Sequence, residues 1–297
     1  MKHFLLISLS LLLIVSSCKD DTVSQGVTDP AEAVKQDYSE IYLATATPDI
    51  EWTGSVASCD PGIISQDVLD KTVMRINYFR KLAGLSTDIV FDATWNSHCQ
   101  KAALMMDANG QLSHDPPSSW VCFTNEGASA AGSSNLGTVP GAGAIDQYIR
   151  DPGANNTRVG HRRWILNSRA QKMGFGSTDR RNALWVIGGS GAAPEGPEYH
   201  SWPPAYVPNT LVYPRWSLSV PNANFISSTV TMTSDEGPIS LNIVHNESSG
   251  IGDNTIVWEP QGITLDDKKV YNVTVGTVMV DGEIKDISYD VQIVKVD

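Results

Sequence analysis

The sequence predicts an α+β protein in two folded parts: a layered α/β domain, then a small all-β sandwich of immunoglobulin-like type. Three observations carry this. Apolar residues recur at helical spacing between residues 61 and 110. Two short apolar runs, 172–176 and 183–187, then read as strands, the second strongly apolar. Past residue 209 the apolar period changes to two. Helices in front and strands behind suit helices packed on a sheet, and sustained alternation suits a sandwich.

The chain opens with Lys2, an apolar run over 4–15 broken only by Ser8 and Ser10, and the small residues Ser16 and Ser17 before Cys18. Charged head, short apolar stretch and small-residue ending predict a secretory signal over 1–17, too short for a permanent span of about 20 residues. Val15-Ser16-Ser17-Cys18 resembles the bacterial lipobox. That resemblance implies a lipid on Cys18, a membrane as partner and a place in the bacterial cell envelope. Lys19-Asp20-Asp21 resembles a sorting signal for the outer membrane and the cell surface. Residues 18–60, polar and without sustained periodicity, read as an acidic tether.

The formal net charge of −12 argues against nucleic acid or an anionic lipid surface as partner, because like charges repel. With Cys18 assigned to lipid, Cys59, Cys99 and Cys122 allow three pairings of one disulfide. Cys99 falls on the apolar face of a helix, whereas Cys59 and Cys122 fall in loops. They are the candidate pair, with Cys99 a buried thiol.

In order, a helix within 61–84 places Val68, Val73, Ile76, Phe79 and Leu82 near one face and ends at Gly84. Asp92 caps a second helix that turns Trp95, Cys99, Ala102, Ala103 and Met106 inward and ends at Asn109-Gly110. Residues 127–143, dominated by Gly, Ala, Ser and Asn, read as a mobile surface loop with no phosphate-binding spacing. A short helix over 144–150 stops at Asp151-Pro152-Gly153, and a further run covers 158–166. The layered domain spans 61–200, and the proline-rich stretch 202–208 reads as a linker. The sandwich spans 209–297, with a hairpin signal at Asp281-Gly282 and Trp216 and Trp258 as core aromatics.

His114 and His161 stand outside any apolar run, with Glu126 between them. Two imidazoles and a carboxylate suit Zn2+ or another borderline divalent cation, leaving a position for water. Asn77-Tyr78-Phe79-Arg80, the helix after Asp92, Leu112-Ser113-His114, Glu126, the run Gly160-His161-Arg162-Arg163-Trp164-Ile165-Leu166 and Met173-Gly174-Phe175-Gly176 follow in that order. Together, over about residues 65–190, they resemble the CAP (SCP) superfamily of cysteine-rich secretory proteins, antigen five and pathogenesis-related proteins. The resemblance implies an α-β-α sandwich with a cleft lined by two histidines and two acids. His114, Glu126 and His161 match three of these. The fourth position has only Asp146 or Asp151 as candidates, a departure that weakens a full tetrad. Asn77 and Arg80 read as structural, His98 as a partly buried histidine, and Arg162 and Arg163 as solvent-facing or paired with acids.

The functional expectation is a noncatalytic binding module at the envelope, its His/acid cleft holding a divalent cation and taking lipid or peptide. No G-x-S-x-G elbow is present to suggest a serine nucleophile. One alternative is a metal-assisted hydrolase, a peptidase, using the same cleft. Another is a rigid platform whose sandwich binds glycan or protein.

Overall fold

The structure is a computed structural model and describes residues 29–192, 196–247 and 250–297. The signal over 1–17 and the lipid site at Cys18 lie outside the described residues. Among the described residues no helix is long and apolar enough to cross a membrane.

From Asp29 onward the stretch read as a tether is folded. Asp29 caps α1 (Pro30–Asp37) by accepting from the Ala31 amide, with proline in the first turn. A π-helical turn (Tyr38–Tyr42) and a 3-10 turn (Leu43–Thr45) follow. They stack Tyr38 on Tyr42 and set Tyr42 against Tyr78 and Phe79. The tether expectation failed here because three helix types in sixteen residues leave no single apolar period to detect. Cys59 and Cys122 form a disulfide with Cα atoms 5.1 Å apart, and Cys99 is a buried free thiol.

Ser65 caps α2 (Gln66–Leu82), which buries Val68, Ile76 and Phe79 and ends before Gly84 at φ +74°. Asp92 caps α3 (Ala93–Asn109) by accepting from the Thr94 and Trp95 amides, each at 3.0 Å, and left-handed Gly110 ends it. The four-stranded sheet comprises β1 (Val90–Phe91), β2 (Ser134–Gly137), β3 (Lys172–Ser177) and β4 (Asn182–Trp185) in the order β1-β3-β4-β2. The pair β1–β3 is parallel and the others antiparallel.

Alternation on the strands sorts the layers. Ala183 joins Cys99, Met105 and Met106 of α3 on one face, while Leu184 joins Ile76 and Phe79 of α2 on the other. On β3 the α3 face is glycine. A Cβ at Gly176 would lie 2.2 Å from the Gln100 nitrogen, so only glycine lets helix and strand approach this closely.

The small-residue stretch 127–143 is not a loop throughout. It supplies most of α4 (Asn125–Ser133) and all of β2. Ala130 and Ala131 are fully buried in the α3 layer. Their smallness permits close helix packing, yet by composition it cannot be told from loop. Two short helices, α5 (Gly143–Arg150) and α6 (Gly160–Ile165), complete the α-β-α arrangement.

Ten strands follow: β5 (His200–Trp202), β6 (Tyr206–Pro208), β7 (Trp216–Val220), β8 (Ala223–Asn224), β9 (Thr229–Ser234), β10 (Gly237–Ile239), β11 (Leu241–His245), β12 (Asn254–Pro260), β13 (Val270–Val280) and β14 (Glu283–Val294). One sheet runs β10-β9-β13-β14-β6 with β8 on β13, and the other runs β11-β12-β7-β5. Trp216 and Trp258 are fully buried between them. Asp281 and Gly282, both at positive φ, turn β13 into β14.

The expected linker is instead two edge strands. β5 pairs with β7 and β6 with β14, and edges are where a sheet tolerates proline. Trp202 is fully buried against Phe79 of α2, ring centroids 5.5 Å apart.

The two parts therefore share one apolar core, Arg162 and Arg163 bridge the seam, and a third buried arginine, Arg80, ties the helical part together. Arg80 donates to the carbonyls of Ser86, Ile165 and Asn167, and Asn77 ties to the Ile89 backbone. Arg162 and Arg163 do not face solvent. Arg162 donates to the carbonyls of Ile149 and Arg215 and to the Ser217 hydroxyl. Arg163 donates to the Asp253 carbonyl. Burial lowers all three guanidiniums to about 10, so they stay charged at neutral pH. Carbonyl partners, which sequence does not reveal, are what permit their burial.

A shared core predicts one cooperative unfolding transition for both parts. In urea, fluorescence and far-UV circular dichroism are expected to trace coincident curves, and Trp202→Ala to lower stability by roughly 3–5 kcal/mol. Two separated transitions would contradict this. The disulfide closes a sequence separation of 63 residues, so Cys59→Ala with Cys122→Ala is expected to cost about 4 kcal/mol on loop entropy, measured by the same denaturation.

Candidate functional site

α5 ends at Asp151, and α6 begins after Val159; both residues adopt left-handed backbone, with φ of 49° and 45°. Such a conformation is costly for a β-branched residue, so the 151–159 loop needs outside support. Asn156 supplies part of it by accepting from the Val159 amide and donating to the Pro152 carbonyl. Arg215, from the segment before β7, donates to the carbonyls of both Asp151 and Asn156 at 3.1 Å.

This loop aims the site. Asp151 is fully buried. One carboxylate oxygen lies 2.8 Å from His161 Nδ1, and the other accepts from the His161 amide at 2.9 Å. A carboxylate accepts, so His161 carries its neutral-state proton on Nδ1. His114 Nδ1 lies 2.9 Å from the Ala131 carbonyl, which imposes the same tautomer. Neither Nε2 has a hydrogen-bond partner among the described residues.

Both rings line the same two adjoining cavities, of about 400 and 310 Å3. Ser134, Asn135, Asn155, Asn156 and Arg158 add polar groups. Trp164, Val186, Ile187 and Ile251 form an apolar wall, the last contributed by the sandwich. Sequence reading found the two histidines but none of these neighbours. Clustered Asn155 and Asn156 before Arg158 were the available signal; nothing local marks Ile251.

The expected four-residue set is not assembled. Glu126 lies in the first turn of α4, exposed, and pairs with Lys101 at 3.7 Å. Its carboxyl is lowered by a backbone hydrogen bond at the helix start and by Lys101. It lines neither cavity. Asp146 also faces elsewhere, bound to Arg75 and Tyr42. Burial raises its carboxyl, with Arg75 and Tyr42 opposing. Asp151 does join His161, but behind the ring. Placement along the chain could not reveal which helix face each acid occupies.

Imidazoles anchored at Nδ1 by a carboxylate and a carbonyl are oriented as metal ligands are. A resident zinc needs three or four protein ligands, and no group of three or more His, Cys, Asp or Glu able to hold a metal occurs among the described residues. Arg158, a cation, stands in the same cavity. The residues present do not fit a resident divalent cation.

Residues 73–187, from α2 past the end of β4, match the model of the cysteine-rich secretory protein family, CAP. Residues 73–187 are thus a CAP-family domain. No curated protein matches it. The match stops before β5, so the CAP domain supplies His114, Asp151 and His161, while the sandwich supplies Arg215 and Ile251.

Asp151→Asn leaves one acceptor oxygen for two donors, the His161 amide and its Nδ1–H. The expected cost is about 1–3 kcal/mol, with His161 released into a mixture of tautomers in nitrogen-15 NMR. An Nε2-protonated His161 in the wild type would overturn the assignment.

Proposed function

We propose that this CAP-family protein is a noncatalytic binding module displayed at the cell envelope, whose cleft between His114 and His161 takes a peptide segment. Cys18 is the lipid attachment point in this reading and the membrane its anchor. One observation carries it: two imidazoles, each tied at Nδ1, present Nε2 to a common cavity. A neutral Nε2 accepts a hydrogen bond, and peptide backbone supplies N–H donors at regular intervals. Asn135, Asn155 and Asn156 add donors and acceptors for peptide carbonyls and amides. A lipid chain here would strand these polar groups without partners, at a cost of roughly 1–3 kcal/mol each. The volume falls within the roughly 300–1,000 Å3 of small-ligand sites.

A second reading, hydrolysis, has its own observation in the Asp151–His161 pair. A buried carboxylate orienting an imidazole is the arrangement of a general base, able to take a proton from water at Nε2.

One experiment separates the two. The full chain is incubated with a random peptide library in the presence of a chelator, and retained and released peptides are read by mass spectrometry. Intact retention is expected, with affinity weakened about tenfold, near 1.4 kcal/mol, in both His114→Ala and His161→Ala. Cleaved products that vanish in His161→Ala would replace binding with hydrolysis. Absence of both retention and cleavage would sink both readings.

A further inference from the structure

We infer that the cleft reads the C-terminal carboxylate of a peptide ending in an apolar residue, with Arg158 as charge partner and Ile251 of the sandwich as part of the side-chain wall. The inference rests on the peptide-binding reading above and specifies its ligand.

Charge distribution is the first support. The chain carries a net −12, yet among the described residues no Asp or Glu side chain lines either cavity. Arg158 is the charged side chain that lines them, beside His114, His161 and Tyr148. Asp151 stands behind His161, fully buried, and both its oxygens are engaged. The charged neighbours of Arg158 include Arg163, which adds positive character. A concave site of one sign concentrates a ligand of the other. That sign is negative, opposite to the metal ion the sequence suggested.

Arg158 itself is the second support. It is exposed, and its guanidinium makes no hydrogen bond or ion pair with any described residue. Its backbone is nonetheless held. The next residue, Val159, is fully buried, and Arg215 clamps the loop two residues earlier at Asn156. A planar guanidinium on a fixed backbone matches a carboxylate through two parallel hydrogen bonds.

The third support is the combination of donors and acceptors. A lone anion would use Arg158 but leave two Nε2 acceptors idle. A peptide C-terminus carries a carboxylate and, within one or two residues, N–H groups to meet those acceptors.

The apolar wall gives the last side chain a place. Trp164, Val186 and Ile187 come from the CAP domain, and Ile187 is 43% exposed. Ile251 reaches over from the segment between β11 and β12, touching the position where a Gly160 Cβ would be, at 3.5 Å. Its backbone is pinned through Asp253, whose carboxylate accepts from the amide and hydroxyl of Ser168 at 2.8 and 3.1 Å.

The test measures fluorescence anisotropy of the full chain with N-terminally labelled tripeptides ending in leucine or aspartate, each as free acid and as C-terminal amide. Unlabelled octanoate competes in a further arm. The leucine acid is expected to bind roughly tenfold to a hundredfold more tightly than its amide, the span of one charged hydrogen-bonded contact, and more tightly than the aspartate acid. Arg158→Gln is expected to erase the difference between acid and amide. Ile251→Ala is expected to weaken the leucine peptide about fivefold at an unchanged acid-to-amide ratio. Equal affinity for acid and amide, or discrimination that survives Arg158→Gln, overturns the carboxylate reading and leaves peptide binding standing. Octanoate that displaces the leucine acid at equal concentration overturns the peptide C-terminus in favour of a simple organic acid. Wild type that binds no tripeptide overturns both this inference and the peptide-binding reading.

Discussion

The buried carboxylate of Asp151 is the constraint around which the cleft and the seam are both arranged. A charge removed from water persists only where hydrogen bonds and opposite charge replace its hydration. Asp151 meets that demand locally, through the ring and amide of His161. The charge of buried Arg162, one residue further on, adds to it. Its own carbonyl meanwhile accepts from Arg215 of the sandwich. The same residue thus orients the imidazole in the cleft and bonds the CAP domain to its neighbour. Left-handed backbone at Asp151 is what lets a carboxylate and a carbonyl of one residue serve two directions.

The sandwich follows from that constraint as part of the site and not as an appended module. Arg215 holds the 151–159 loop, and Ile251 walls the cavity that the loop borders. Phe79 against Trp202 closes the apolar half of the same seam. Residues 209–297 by themselves lack β5 and β6, one edge strand from each sheet. Cutting there would expose Trp202 and remove backbone partners from β7 and β14.

Much of the fold was legible because capping chemistry is local. Asp92 before α3 and glycines at 84 and 110 set three ends of the two long helices within a residue or two, whereas the start of α2, placed only as early as 61, is fixed by the Ser65 cap. Period-two alternation and Asp281-Gly282 announced the sandwich in the same way. Where the reading failed, composition carried two meanings. Small residues at 130 and 131 denote either a loop or a close helix contact, and prolines at 203, 204 and 208 denote either a linker or edge strands.

The site divides along the same line. The sequence by itself determined which side chains could be functional: two histidines outside apolar runs, a CAP-like order of motifs, and acids scattered between them. Only the tertiary structure decided which of these meet. Glu126 matched one acid position and Asp146 was an alternative to Asp151 for the other, but helix phase and nearer cations turned Glu126 toward Lys101 and Asp146 toward Arg75. Asp151 took the place beside His161 because a left-handed residue folded the loop back on α6. Arg158 and Ile251 came to one cavity from different domains. Helix phase and domain docking are set by long-range packing, which local sequence pattern does not encode.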